Sequence, residues 1–158
     1  MRVLEYRVTK YNPAFRDARG AFTRDEWTCF RDIGESFAGV TLNREEYERV
    51  ERAYVNVALA FLSESGVSSL TVEGLENSRN TQLTISNGSV LPLEQIGDLT
   101  ARVLREEFWC RLVGVEAFLH FGWDYYMYVG VLTPCPVAQA LSASLGLFVE
   151  DFESPYRP

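Results

Sequence analysis

The chain has 158 residues, of which 47% are hydrophobic and 13% aromatic, and this composition predicts one folded domain (residues 1–158) and excludes a disordered chain. The net charge of -7 argues against nucleic-acid binding, because an acidic surface repels phosphate backbones. The sequence has no apolar run of the roughly 18 residues that a membrane span needs, and its three dispersed cysteines favour a reducing cytoplasm over a disulfide framework.

The first forty residues predict one strand and a long irregular segment. Residues 1–11 alternate between a more polar and a more apolar set, which indicates a strand, and their mixture of charged and apolar side chains predicts no secretory signal. Asn12-Pro13 ends this strand. Within residues 14–40, the spacing of Thr23 and Glu26 matches a capping box and predicts a helical turn over residues 25–30. The aromatic residues of this segment either fill the edge of the core or contact a partner.

Two long helices with strands between them are predicted for the middle of the chain. Residues 43–65 have apolar side chains at helical spacing and Asn43 as an N-cap, so they predict the first helix. Residues 69–76 and 81–86 predict two strands, and the Asn87-Gly88 turn predicts a short returning strand at residues 90–91. Residues 92–111, which begin with a proline, predict the second helix.

Residues 113–132 are rich in β-branched and aromatic side chains and predict a central hairpin. A two-residue turn at Gly122-Trp123 would place His120 opposite Tyr125 and on the same face as Met127. Residues 137–145 then predict a short helix, and residues 147–152 predict a last strand.

These elements predict an α+β fold with the order β-α-β-β-α-β-β-α-β. We expect a mostly antiparallel sheet with two long helices on one face. The first six elements have the order of a ferredoxin-like core, and the last three form a C-terminal β-α-β extension.

Only one residue titrates near neutral pH without a perturbed pKa, the single histidine His120. The predicted hairpin places it beside Tyr125 and on the same face as Glu116, so a small-molecule or catalytic pocket around Glu116, His120 and Tyr125 is one hypothesis. A histidine satisfied by a neighbouring hydroxyl or backbone group is the alternative. The sequence contains neither a phosphate-binding glycine motif nor a nucleophile elbow, and we expect no catalytic group, metal site or cofactor.

A protein-binding surface is the other hypothesis. If the hairpin tip and the last strand lie together, an acidic patch with aromatic residues forms from Trp123, Asp124, Tyr125, Tyr126, Glu150 and Asp151. Carboxylates combined with aromatic anchors suit a basic protein partner.

The functional expectation is therefore a small acidic binding protein without catalysis. A bacterial cytoplasmic immunity-type protein, which neutralises a basic toxin by covering its active site, is a protein of this kind. A pocket around His120, or a homo-oligomeric structural subunit that buries its aromatic loop against another copy, are the alternatives. We expect no nucleic-acid or membrane partner, and either a monomer or a homodimer.

Overall fold

The computed structural model describes residues 2–157, so Met1, which belongs to the predicted first strand, and Pro158 lie outside the described residues. Three helices and two sheets make up the fold. In chain order the elements are β1 (Leu4–Thr9), β2 (Ser36–Phe37), β3 (Val40–Thr41), α1 (Arg44–Glu64), β4 (Ser69–Glu76), β5 (Val90–Pro92), α2 (Leu93–Leu104), β6 (Trp109–Val113), β7 (Phe118–Phe121), β8 (Met127–Val131), α3 (Pro136–Ser144) and β9 (Phe148–Asp151).

Seven of the strands form one sheet in the order β5-β4-β6-β7-β8-β1-β9, and each pair of neighbours is antiparallel. The predicted α+β class is confirmed. The ferredoxin-like order is not confirmed, because β6, β7 and β8 lie between β1 and β4, which are the last strand of this sheet before α1 and the first after it. β1 lies between β8 and β9, so the first strand of the sheet is paired with the last two.

Helix α1 is the centre of the main core. The Asn43 side chain accepts a hydrogen bond from the Glu46 backbone N–H at 2.8 Å, which satisfies one of the free donors at the helix start. The predicted apolar stripe is buried, with Tyr54 and Phe61 wholly inaccessible to solvent. The stripe packs on one face of the sheet, together with side chains from α2 and α3.

The opposite face of the sheet is covered by the end of the chain. Phe118 and Tyr128 are buried there and pack against Tyr156. The Ser154 N–H donates to the Glu5 carboxylate at 3.0 Å, and an Arg111 guanidinium N–H donates to the Tyr156 carbonyl at 3.0 Å. Both faces of the sheet are therefore shielded from solvent over its central strands. Across residues 2–157, none of the helices combines the length and the apolar character needed to cross a membrane.

The predicted second helix is too long. Helix α2 ends at Leu104, and residues 109–111, which the prediction included in the helix, belong to β6. Glu106 adopts a left-handed backbone with φ of 60°, which no α-helix can continue through. The apolar residues Phe108, Cys110 and Leu112 are buried and alternate with partly exposed residues, which is the period of a strand.

Two further local predictions are wrong. Residues 81–86 are irregular, and β5 pairs with β4 instead. The Asn77 side chain forms two hydrogen bonds to the backbone of Thr81, so a side-chain-stabilised turn replaces the expected strand pairing. The helical turn expected over residues 25–30 lies later, as a 3-10 turn over Phe30–Asp32, because the Asp32 carboxylate accepts from the Thr28 N–H at 2.8 Å.

Candidate functional site

The hairpin tip between β7 and β8 is wider than predicted. Residues 122–126 connect the strands, so His120 lies opposite Tyr128 and Phe121 opposite Met127. Asp124 and Tyr125 adopt left-handed φ values of 60° and 67°, and the Gly122 N–H donates to the Tyr126 carbonyl at 2.8 Å. Since this register differs by three residues from the predicted one, Tyr128 takes the place beside His120 that was predicted for Tyr125.

A cleft of about 530 Å³ lies beside this tip. The connection between α2 and β6, residues 28–31 and the segment after β4 form its other walls. Its aromatic walls are formed by Phe108, Trp109, Phe121, Trp123, Tyr125 and Tyr156. Its charged groups are Arg31, Glu76, Arg79, Glu106, Glu107 and Asp124.

The charge in the cleft is negative overall, with four carboxylates against two guanidinium groups. Arg31 pairs with Glu106 at 3.2 Å, and Glu107 pairs at 2.9 Å with Arg102. Within residues 2–157, the carboxylates of Glu76 and Asp124 and the Arg79 guanidinium have no ion-pair partner. The cleft can therefore accept hydrogen bonds from a cationic group.

The two tryptophans of the cleft differ in how they are held. The Trp109 indole N–H donates to the Phe121 carbonyl at 2.9 Å, and its ring packs against Tyr156 with centroids 5.6 Å apart. Trp123 is 80% exposed, which is unusual for the largest apolar side chain. Trp109 is thus a fixed wall, whereas the Trp123 ring is open to solvent.

Tyrosine hydroxyl groups hold the tip from inside. The Tyr11 hydroxyl donates to the Asp124 carbonyl at 2.6 Å, and the Tyr125 hydroxyl donates to the Tyr47 hydroxyl at 2.8 Å. Tyr47 in turn donates to the Glu51 carboxylate at 2.9 Å. Burial raises the pKa of Tyr125 and of Tyr47 above the ordinary value, so both hydroxyl groups stay protonated and can donate.

The buried Glu51 carboxylate ends this chain of hydrogen bonds. Arg105 donates to both of its oxygens, at 2.7 and 2.8 Å, and this bidentate contact raises the pKa of Arg105. The Arg105 guanidinium group thereby joins the end of α2 to α1. The tip is therefore connected through buried polar groups to the contact between two helices.

His120 lies on the other face of the sheet and is 1% exposed. Its Nδ1 is 2.7 Å from the Ser154 hydroxyl, and its ring stacks on Phe118 with centroids 4.1 Å apart. Burial lowers the pKa of His120 to about 4, and the nearby Arg111 and Arg157 contribute to the same shift. His120 is therefore neutral at pH 7, and it is buried beneath the C-terminal residues.

The structure does not bring together the three residues of the hypothetical ligand site. His120 does not line the cleft, whereas Tyr125 does. Glu116 is exposed and lies before β7, beside a separate depression of about 180 Å³. Neither the cleft nor this depression is lined by His120.

The residues of the predicted acidic patch do not form one continuous surface. Trp123, Asp124 and Tyr125 line the cleft. Tyr126 lies outside it, and its hydroxyl accepts from Arg16 at 2.8 Å. Glu150 and Asp151 are on β9, where the sheet register places β1 between them and β8.

Of these two carboxylates, Glu150 pairs with Arg7 at 3.1 Å and Asp151 is exposed. The other wall of the cleft, which includes Glu76, Arg79 and Trp109, is not predicted from the sequence. For Trp109 the available signal is the alternating spacing of Phe108, Cys110 and Leu112, which also fits the predicted helix.

Within residues 2–157, no group of three or more histidine, cysteine or carboxylate side chains is arranged to hold a metal ion. The arrangement instead offers an acidic, aromatic cleft with a rigid tip. In comparisons with known proteins, the chain matches no family model, no curated protein and no solved structure.

Proposed function

We propose that this chain is a protein-binding module without catalysis, and that it binds the basic surface of a partner protein in the cleft beside the hairpin tip. The single observation that carries this proposal is the combination of an 80% exposed Trp123 with the unpaired carboxylates of Glu76 and Asp124. Exposed aromatic residues in concave sites are the usual anchors of protein interfaces.

The charge of the whole chain supports the same class of partner. A net charge of -7 attracts a basic protein over several ångströms and raises the rate of association at low salt. A cytoplasmic immunity-type role, in which the cleft covers the active site of a basic toxin, is one function of this kind. Such a role needs affinity and a rigid surface, and it needs no reactive group.

The experiment begins with co-purification on the tagged full chain, followed by identification and purification of the captured protein. Affinity is then measured for the unaltered chain and for the double variant Glu76→Gln/Asp124→Asn. The matched control is Glu35→Gln/Asp98→Asn, which removes the same charge at two exposed positions outside the cleft. We expect at least a tenfold loss for the cleft variant and less than about a twofold loss for the control.

Two results would contradict the proposal. One is a captured partner that is acidic and whose binding does not weaken as salt increases. The other is an equal loss of affinity in the cleft variant and the control, which would mean that only the total charge of the chain matters.

A small-molecule-binding function is the second candidate, and the size of the cleft favours it. A volume of about 530 Å³ lies within the usual range of ligand pockets, and aromatic walls are typical of them. Thermal unfolding of the chain with a set of small aromatic cations tests this function. A rise in the unfolding temperature that is lost in Trp123→Ala supports it, whereas unchanged temperatures throughout the set rule it out.

A further inference from the structure

We infer that the hairpin tip, residues 122–126, is a pre-organised receptor for an arginine side chain, with the Trp123 ring stacking on the guanidinium plane and the Asp124 carboxylate accepting from its N–H groups. This inference rests on the proposed function, because the arginine belongs to the basic partner. It goes further by naming the group that is recognised and the residues that recognise it.

The hairpin tip has a strained backbone that neighbouring side chains support. Asp124 and Tyr125 are consecutive residues in the left-handed region, where a non-glycine residue is held only if its surroundings fix it. The hydroxyl groups of Tyr11 and Tyr125 provide that support through hydrogen bonds to the Asp124 carbonyl and to the Tyr47 hydroxyl. The backbone that carries Trp123 and Asp124 is therefore fixed before a partner arrives, which reduces the entropy lost on binding.

Cations elsewhere in the chain are held by an aromatic ring together with a carboxylate. At five places within residues 2–157 the cation is an arginine, and Lys10 is held in the same way by Trp27 and Glu26. Three of the arginine sets are Arg7 with Phe152 and Glu150, Arg102 with Phe108 and Glu107, and Arg105 with Phe30 and Glu51. In that order, the guanidinium carbon lies 3.8, 5.2 and 4.8 Å from the ring centroid, and the ion pairs measure 3.1, 2.9 and 2.7 Å.

Trp123 and Asp124 provide the aromatic ring and the carboxylate of such a set, but no cation lies between them. Both side chains are exposed. Within residues 2–157, no cation lies over the Trp123 ring and none pairs with the Asp124 carboxylate. Tryptophan is the aromatic side chain that binds cations best. The missing component is a cation supplied from outside the chain.

Arginine suits this tip better than lysine does, because the exposed Trp123 ring and the exposed Asp124 carboxylate belong to neighbouring residues. A planar guanidinium can stack on such a ring while its N–H groups reach a carboxylate, whereas an ammonium group is compact and strongly hydrated. The unpaired Arg79 lies in the same cleft and repels an incoming cation, so its removal should strengthen binding.

The test uses the full chain and a fluorescein-labelled hexapeptide of alternating glycine and arginine, with binding followed by fluorescence anisotropy at about 50 mM salt. Two peptides of the same length replace arginine by lysine or by uncharged citrulline. We expect binding about threefold weaker for the lysine peptide and at least tenfold weaker for the citrulline peptide.

Variants of the chain test the assigned residues. Trp123→Ala should weaken the arginine peptide about tenfold and Asp124→Asn about fivefold, while Arg79→Gln should strengthen it about twofold. The controls Val137→Ala and Asp98→Asn change an exposed apolar residue and an exposed carboxylate outside the cleft. Both controls should bind as the unaltered chain does.

The possible failures are distinguishable. If the basic partner protein binds through the cleft but the arginine and citrulline peptides bind equally, or Trp123→Ala has no effect, the arginine receptor is overturned and the proposed function stands. If neither the arginine peptide nor any basic protein binds, both fail. Stronger binding in Arg79→Gln together with weaker binding in Asp124→Asn supports the inference, because a general loss of folding cannot produce opposite effects.

Discussion

Replacing Arg105 by methionine should destabilise the chain strongly, because it leaves the buried Glu51 carboxylate without its cationic partner. The Glu51 side chain is 9% exposed and the Arg105 side chain 24% exposed. Arg105 supplies two of the three side-chain hydrogen bonds that the carboxylate accepts, and Tyr47 supplies the third. Methionine retains much of the apolar stem that lies near Phe30 and removes the guanidinium group.

The expected loss in the free energy of unfolding is about 3 kcal/mol, since breaking a buried ion pair from one side typically costs 3–5 kcal/mol and Arg105 is partly open to water. Adding Glu51→Gln removes the isolated charge and leaves an amide oxygen that can accept from Tyr47. The double variant should therefore be at least 1 kcal/mol more stable than Arg105→Met alone. Such a recovery would show that the buried carboxylate, and not lost packing, causes most of the effect.

Urea unfolding followed by tryptophan fluorescence measures these differences. With a slope of about 2 kcal/mol per molar urea, a loss of 3 kcal/mol moves the midpoint down by about 1.5 M. The control is Arg49→Met, which breaks the exposed pair between Arg49 and Glu46 and should cost less than about 0.5 kcal/mol. A loss below 1 kcal/mol for Arg105→Met, or a double variant less stable than either single one, would refute the reasoning.

Three further predictions concern the face beneath the end of the chain. Since the pKa of His120 falls to about 4 in the folded state, unfolding releases a histidine that binds a proton more readily. The free energy of unfolding should therefore have its full value above about pH 6.5 and should decrease by up to about 3 kcal/mol as the pH falls toward 4. Urea unfolding at about pH 7.5 and pH 5 should show this dependence, and an equal dependence in His120→Asn would contradict it. Ser154→Ala leaves His120 Nδ1 without its partner and should cost about 1–2 kcal/mol; an unchanged urea midpoint would contradict this. In Gly130→Ala the added Cβ overlaps the buried Phe118 ring, so unfolding by urea should become easier by about 2 kcal/mol or more, and an equally stable variant would show that the ring can move aside.

The parts of the fold that were predicted correctly are those in which local and tertiary preferences agree. Helix α1 has its cap and its apolar stripe in the expected places. The strands on either side of residues 122–126 were recognised from their β-branched and aromatic content. In these segments the spacing of the apolar residues fits only one type of secondary structure, and the same apolar residues are buried in the structure.

The incorrect predictions lie where two periods overlap or where a backbone conformation has no sequence signal. Phe108 fits both a helical stripe that continues from α2 and the alternation of β6, and the left-handed Glu106 decides between them. The tip adopts left-handed angles at Asp124 and Tyr125, although Gly122 is the residue that suggests a turn. Both regions line the candidate cleft. The sequence therefore identifies Trp123, Asp124 and Tyr125 at the tip, but it does not identify Trp109 on the facing wall.

The position of β1 has a consequence for the timing of folding during synthesis. Leu4 pairs with Val131 and Tyr6 with Asp151, so this strand meets its neighbours only after more than a hundred later residues have left the ribosome. Until then its peptide groups have no pairing strand, and contacts between such distant segments form slowly. A nascent chain therefore carries an open strand until β8 and β9 have emerged, and chaperones that shield extended segments would have their longest opportunity to act there.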